Sequence, residues 1–220
     1  HTVIRKTLKA IVGVPSLKFP APDVKVPPCD PCMTIKSKRR PFKKKLRTGP
    51  NPQGLTIHLD LKTTLTPSID GHRHYVTMIT EDERFVAAAP LRSKHVFHHY
   101  TTFVRQLEAK TGKKVIKFKS DCGGEFMNHR IRNWNNQRGI ESHYCPPYTP
   151  ETNGLAERTI QWLHKAVKVI LKQCGLPIRH WNWALGCSVW VRNRLVNSFN
   201  PDKTPCELLL NKKPSPKHLH

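Results

Sequence analysis

Acidic residues and long apolar runs are both scarce in this sequence. Its 220 residues include 15 Asp and Glu against 38 Lys and Arg, so the net charge is +23. Such an imbalance costs self-repulsion unless a polyanion binds, which favours nucleic acid as the partner. No apolar run approaches the roughly 20 residues that span a bilayer, and no basic amphipathic anchor supports a membrane surface as the alternative. The sequence therefore predicts a globular protein that binds nucleic acid and has no membrane segment.

Cysteines are too scattered to form a disulfide framework. Their number, seven, is odd, and only Cys29 and Cys32 have a spacing that suggests a shared ligand. A reduced, intracellular chain with one metal-type C-x-x-C motif fits this pattern better. The sequence also opens on His1, without an initiator Met or a signal-peptide pattern. We therefore expect the chain to be a piece of a longer polypeptide.

Composition divides the chain into three parts. Residues 1–33 are rich in Pro and end in the C-x-x-C motif, residues 34–53 form a basic linker, and residues 54–220 follow a compact α/β pattern. A run of like charge is usually a solvated, flexible segment. Because this linker joins two parts of a very basic chain, we instead predict that its cations contact DNA. They are Lys38, Arg39, Arg40, Lys43, Lys44 and Lys45.

From residue 54 onward the pattern alternates between strands and helices. Alternating polarity and apolar runs predict strands at 55–61, 74–80, 84–90, 115–119 and 140–144, with a turn at 81–83. Helical periodicity predicts helices at 94–110, 131–137, 154–173 and 181–195. Three hairpin-connected strands, followed by helix, strand, helix and strand, indicate a mixed five-stranded sheet with helices on its faces.

Three of the few acidic residues occupy positions that suit phosphoryl transfer. Asp60 ends the first strand, Asp121 follows the fourth, and Glu157 lies in the first turn of the long helix. If the two strands are neighbours, both aspartates emerge from the same region of the sheet. Two divalent cations need such a cluster of carboxylates, with Asp60 as the shared ligand. Each residue taken singly also has an ordinary role, in a strand-end turn or beside the helix dipole.

The long helix carries two stripes of different chemistry. At about 100° per residue, an apolar stripe consists of Ala156, Ile160, Leu163, Val167, Ile170 and Cys174. A basic stripe roughly opposite consists of Arg158, Gln161, Lys165, Lys168 and Lys172. Glu157 falls on the border between the two stripes. A metal ligand is expected there if packed protein lies on one side of the helix and DNA on the other.

The spacing and context of these acids resemble those of a known family. Asp121 and Glu157 are separated by 35 residues, which is the D,D(35)E spacing of retroviral and retrotransposon integrases. Residues 147–158 read PYTPETNGLAER, residues 120–126 read SDCGGEF, and His58-Leu59-Asp60 matches the H-x-D motif around the first aspartate. These motifs closely resemble those of copia-type LTR-retrotransposon integrases. The resemblance continues through Leu176-Pro177 and Arg192-Asn193-Arg194 and covers essentially the whole chain.

The resemblance implies an RNase H-like core and a metal-dependent reaction. In that reaction, the 3′-hydroxyl ends of element DNA are joined to target DNA, with two Mg²⁺ or Mn²⁺ ions held by Asp60, Asp121 and Glu157. It further implies double-stranded DNA as partner and a homo-multimer (dimer or tetramer) that holds two DNA ends. The expected location is the virus-like particle and then the nucleus.

The resemblance also suggests roles for residues around the third carboxylate. Asn153 and Gly154 would shape the loop before the catalytic helix, and Lys165 and Lys168 would approach the DNA end. Arg158 and Lys172, from the same basic stripe, are further predicted DNA contacts. The chain departs from the family pattern at Cys122, where Asn is usual, at Glu151, where Gln is common, and in residues 61–65, which lack the usual Gly-Pro.

The amino-terminal part resembles a piece of the family's HHCC zinc module. Cys29 and Cys32 would supply the thiolate pair, and His1 would be the second histidine, with the first lying upstream. Zn²⁺ prefers four tetrahedral sulfur and nitrogen ligands, so the prediction is a structural zinc ion. The alternative is a loop with two free thiols.

Two other functions remain open at this stage. One is a domesticated descendant that only binds DNA through its basic surface, although a pure binder has no need of three carboxylates. The other is a ribonuclease H or related nuclease of the same fold, which the zinc-type module and the helix bearing Glu157 disfavour.

Overall fold

The computed structural model describes residues 54–145 and 150–215, and for residues 150–153 it describes the backbone only. The predicted zinc module (1–33) and basic linker (34–53) lie outside the described residues. So do the predicted zinc ligands His1, Cys29 and Cys32, the linker cations and the side chain of Asn153. Within the described part, no helix is both long and apolar enough to cross a membrane.

Five strands form one mixed sheet, as the sequence predicts. They are β1 (Leu55–Thr63), β2 (His74–Thr80), β3 (Val86–Leu91), β4 (Val115–Asp121) and β5 (Glu141–Cys145), in the spatial order β3-β2-β1-β4-β5. The first three strands pair antiparallel, and β4 runs parallel to both β1 and β5. β3 begins two residues later than predicted because Arg84 has a positive φ of 61° and belongs to the turn. β1 is longer than predicted because its pairing with β2 continues to Thr63 and His74.

Helices cover both faces of this sheet. They are α1 (Phe97–Thr111), α2 (His129–Gln137), α3 (Pro150–Gln173), α4 (Trp181–Arg194) and α5 (Pro205–Leu210), with a 3₁₀ turn at Ile178–His180. α1 ends as predicted at Gly112, which has a left-handed φ of 68° and donates its amide to Glu108. α3 begins four residues before the predicted start at Gly154.

Two separate cores follow from the alternation of side chains along the strands. On one face, Ile57 and Leu59 of β1 and Phe118 of β4 pack with α1 and α2. On the other face, Tyr75 and Ile79 of β2 pack with α3 and α4. Because successive strand residues point to opposite faces, these two sets indicate the direction of the side chains that follow Ile57 on β1 and Phe118 on β4.

The apolar stripe of α3 is confirmed along most of its length. Ala156, Ile160, Leu163 and Val167 are buried in the second core. The prediction is wrong at the end of the stripe. Leu171 is the buried residue there, since it packs in the same core as Trp181, whereas Ile170 is half-buried. Cys174 follows the last helical residue and is exposed.

A buried amide joins α4 to the edge strand β3. Asn193 accepts from the backbone N–H of Val86 at 2.8 Å and donates to its carbonyl at 2.7 Å. We predict that Asn193→Ala lowers the free energy of unfolding by about 2–3 kcal/mol, because both backbone groups lose their buried partner. Urea unfolding measures this loss. Asn133→Ala, on the exposed side of α2, is the matched control and should stay within about 0.5 kcal/mol of wild type.

Candidate active site

Parallel pairing of β1 and β4 brings two of the predicted acids together. The paired register of β1 and β4 ends with His58 opposite Lys119, and each aspartate follows its member of this pair by two residues. The charge of Asp121 acts on Asp60, so the two carboxylates are close together. Leu59 packs in the first core, so Asp60 projects from the opposite face, where α3 lies. Asp60 is half-buried and Asp121 is exposed. The expectation that the first and fourth strands are neighbours is therefore confirmed.

Glu157 is an exposed residue of α3, next to buried Ala156. Its predicted position in the first helical turn is wrong, because the helix begins at Pro150, seven residues earlier. The helix dipole acts mainly within the first turn. Stabilisation of the helix end is therefore a poor explanation for an acid at this position.

The three carboxylates influence one another electrostatically. The pKa of Asp60 is raised to about 7, mainly by burial and then by the charges of Asp121 and, more weakly, Glu157. A hydrogen bond from the backbone of Leu61 and the charge of Lys62 oppose the rise. None of the three acids forms an ion pair with a described residue. In a chain of net charge +23, neighbouring acids that form no ion pair with a described residue are unusual.

A tight turn after β4 holds Asp121 in place. The amide of Gly123 donates to its Oδ1 at 3.1 Å. A Cβ on Gly123 would lie 2.9 Å from the Glu125 carboxyl carbon and 3.0 Å from the Asp121 oxygen, so a side chain at position 123 would displace these two carboxylates. Cys122, where the resembled family usually has Asn, donates its thiol to the Cys145 carbonyl at 3.2 Å. With Cys at position 122, the turn is therefore hydrogen-bonded to β5.

A buried ionic network lies directly behind the two aspartates, and the sequence analysis missed it. Glu81 Oε2 is 2.9 Å from Lys119 Nζ and 3.3 Å from His58 Nε2. Burial alone would raise the pKa of Glu81, but its hydrogen bonds with His58 and Lys119 hold that pKa well below its usual range. His58 and Lys119 each stand two residues before an aspartate and so share its face of the sheet. Lys119 is one of two lysines in β4, with Lys117, so nothing in the sequence distinguished it as a partner of a buried acid.

The carboxylates suit a divalent cation chemically without forming a complete ligand set. Hard oxygen donors are what Mg²⁺ and Mn²⁺ prefer, and the raised pKa of Asp60 reflects negative charge that a cation would neutralise. Among the described residues, however, no three His, Cys, Asp or Glu side chains lie close enough together to form a metal site. Asp60 and Asp121 are the adjacent pair, and Glu157 acts at longer range.

The predicted DNA contacts on α3 face outward. Arg158, Lys168 and Lys172 are exposed, and Lys165 is half-buried. Arg158 directly follows Glu157, so the basic stripe begins beside the third carboxylate. His164 also belongs to this surface, and its pKa is lowered by burial and by the charges of Lys168 and Lys62. The stripe therefore continues from α3 toward the end of β1.

The raised pKa of Asp60 makes stability depend on pH. The folded chain keeps this proton up to about pH 7, whereas the unfolded chain releases it near 3.8. Stability contributed by the protonated group is therefore lost as pH rises through this window. We predict that, without metal, Asp60→Asn is more stable than wild type above pH 7 by roughly 1–3 kcal/mol and equal to it near pH 4.

Urea unfolding in EDTA at several pH values measures this difference. Asp202→Asn, at an exposed position outside the site, is the control and should follow wild type at every pH. A constant gap between Asp60→Asn and wild type from pH 4 to 8 would contradict the assignment.

Comparison with known proteins finds relatives along nearly the whole chain. No family model matches the chain. The chain is 28% identical over 209 residues, or 94% of its length, to the retrovirus-related Pol polyproteins from transposons RE2 and RE1 of Arabidopsis thaliana. It is 28% identical over 210 residues to the Pol polyprotein from transposon TNT 1-94 of Nicotiana tabacum. The chain spans only 14% to 16% of the length of these relatives.

A solved structure supports the fold assignment. A chain of the simian T-cell lymphotropic virus intasome, determined by cryo-electron microscopy with the PP2A regulatory subunit B56 gamma, matches with a TM-score of 0.59 and 18% identity. The match covers 86% of this chain and 67% of that one. The predicted RNase H-like architecture is confirmed. In sequence along nearly its whole length, the chain is similar to copia-type retrotransposon Pol polyproteins, as its integrase-like motifs predict.

Proposed function

We propose that the chain is the catalytic core of a retrotransposon integrase, which joins the 3′ ends of element DNA to target DNA. The observation that carries the proposal is the parallel pairing of β1 with β4 up to His58 and Lys119, two residues before Asp60 and Asp121, together with the influence of the Asp121 charge on Asp60. Similarity to Pol polyproteins of plant transposons supports it. The net charge of +23 suits a polyanionic substrate.

In this proposal Asp60, Asp121 and Glu157 would hold two Mg²⁺ or Mn²⁺ ions, with Asp60 as the ligand that the ions would share. Bound ions would stabilise charge on the attacking and leaving oxygens. The 3′-hydroxyl oxygen of element DNA forms a bond to a target phosphorus as the bond to the target's own 3′-oxygen breaks. Energy from an outside reactant is unnecessary, because one phosphodiester replaces another.

The protein's part in the reaction is to position DNA and the carboxylates. The Glu81 network and the Gly123 turn fix the ends of β1 and β4, so the two aspartates need little reorganisation. Arg158, Lys165, Lys168 and Lys172 of α3 would neutralise backbone phosphates next to the acids. Asn153 and the linker cations at 38–45 would extend this contact surface.

Several further properties belong to the same proposal. His1, Cys29 and Cys32 would contribute to a structural zinc site. The active form would be a homo-multimer, because concerted insertion must hold two DNA ends. It would act in the nucleus after assembly in a virus-like particle.

Joining of DNA strands is the direct test. An oligonucleotide with the terminal sequence of the element is incubated with plasmid and Mn²⁺, and covalent joining is measured on a gel. Wild type should join the strands, and Glu157→Gln should reduce the rate by at least roughly 10³-fold, since a neutral amide is a poor ligand for a divalent cation. Asp60→Asn and Asp121→Asn should behave alike.

Asp202→Asn is the control, because it removes one exposed acid outside the site and should leave joining unchanged. Strand joining that persists in the Glu157→Gln variant would contradict the assignment of the third carboxylate. Cleavage of RNA–DNA hybrids without joining would favour a nuclease, and DNA binding without either reaction would favour a domesticated binder.

Metal binding can be measured without catalysis. We predict that Mn²⁺ raises the melting temperature of wild type by about 4 °C or more, because it binds the folded state and neutralises the acid pair. In Asp60→Asn this shift should fall to about 1 °C or less. Asp202→Asn should keep the full shift, and an equal shift in all three proteins would place the ion elsewhere.

A further inference from the structure

A cavity of about 640 Å³ lies beside the proposed active site, between the end of β1, the middle of α3 and the start of α4. It begins at Lys62, two residues after Asp60. Its floor is apolar and is formed by Tyr75, Ile160, Val167, Trp181 and Leu185. The volume falls in the range of about 300–1,000 Å³ that is typical of sites for small ligands.

The walls of this cavity are tied together by specific hydrogen bonds. Trp181 Nε1 donates to the carbonyl of Thr66 at 3.0 Å, and the amide of Ile69 donates to the carbonyl of Arg179 at 2.8 Å. The Asn182 amide donates to the Asp70 carboxylate. These bonds fasten the β1–β2 connection (residues 64–73) to the start of α4. The cavity is therefore part of the folded core rather than a gap between loose segments.

The rim has a different character from the floor. Lys62, His164, Lys165 and Lys168 line the opening, and none of the cavity's lining residues is acidic. Lys62 pairs with Tyr75 across β1 and β2, so its side chain leaves the sheet on the cavity's side. Gln161, also on the rim, is exposed and offers an amide that can both donate and accept.

This combination matches one class of ligand. An aromatic base has two apolar faces and a hydrogen-bonding edge, and it is attached to a phosphate. The floor with the Tyr75 and Trp181 rings suits the base, the Gln161 amide suits its edge, and the cationic rim suits the phosphate. A neutral lipid or apolar peptide would leave the rim charges unused.

We propose that this cavity binds one unpaired nucleotide. The inference rests on the proposed function, because a DNA strand lying at Asp60 would pass the rim of the cavity at Lys62. A nucleotide at an unpaired strand end enters most readily, because a base inside a duplex must first leave its stack.

Fluorescence of 2-aminopurine tests the proposal, because this base is quenched when it stacks on aromatic rings. Three probes are used in EDTA at fixed salt: a duplex ending in one unpaired 2-aminopurine nucleotide, the same duplex blunt-ended, and free 2-aminopurine nucleoside monophosphate. Wild type should bind the first about tenfold more tightly than the second. Fluorescence of the unpaired base should fall on binding.

Two variants separate the cavity from general DNA binding. Ile178 lines the cavity and is 47% exposed, so Ile178→Trp fills its mouth without entering the core. It should abolish the preference for the unpaired end while leaving blunt-duplex affinity unchanged. Lys62→Gln, at an exposed position, should weaken binding of the unpaired probe about threefold by removing one phosphate contact.

Matched controls are Leu210→Trp and Lys213→Gln, which make the same changes at exposed positions outside the cavity. Both should behave as wild type, and thermal melting confirms that each variant is folded. Quenching of the free nucleotide that Ile178→Trp removes would also support the site, with a soluble nucleotide as its source. Equal affinity for both duplexes without quenching of any probe, or a preference that survives Ile178→Trp, would overturn it.

The two proposals fail independently. The binding assay contains EDTA, so it does not require strand joining. A chain that joins DNA but shows no preference for the unpaired end retains its proposed function and loses the nucleotide site. A chain that shows the cavity-dependent preference but never joins DNA loses the proposed function instead.

Discussion

The parallel pairing of β1 with β4 is the constraint on which the site depends. It brings Asp60 and Asp121 side by side, where two like charges repel and one is partly buried. A chain with 38 cations could have placed a lysine there to form an ion pair. Instead, no described residue forms one with either acid. The folded protein thus keeps an electrostatic cost that a bound cation would relieve, which is the arrangement expected of a functional site rather than a structural one.

Surrounding interactions hold this unfavourable pair in position. Behind it, Glu81, the first residue after β2, is paired with Lys119 and His58, which belong to strands whose other face is packed in the first core. Beyond it, the Gly123 turn fixes Asp121, and Cys122 attaches the turn to β5. The aspartates therefore sit at the junction of a rigid sheet and a short turn.

α3 connects the parts of the site because one side of the helix is apolar and packed while the other is basic. Its apolar stripe packs on the sheet through Leu163 and Val167, and Glu157 lies at the edge of that stripe. The basic side continues from Arg158 to Lys172 and also lines the cavity that begins at Lys62. One helix thus connects the second core, the third carboxylate and the cationic surface. This arrangement explains how a nucleic acid could be held against the acids without covering the core.

Local patterns in the sequence were sufficient for the strands, the main helices and most of the apolar stripe of α3. Alternation and helical periodicity are short-range properties, and the motifs around Asp121 and Glu157 are contiguous. The sequence did not reveal that Arg84 belongs to a turn, that α3 begins at Pro150, or that Leu171 rather than Cys174 completes the core. The burial of Leu171 depends on Trp181, a partner from another helix. For the same reason, only the tertiary structure revealed the Glu81 network, which joins β1, β4 and the end of β2, and the cavity, which joins β1, α3 and α4, because burial and charge pairing arise only when separate elements meet.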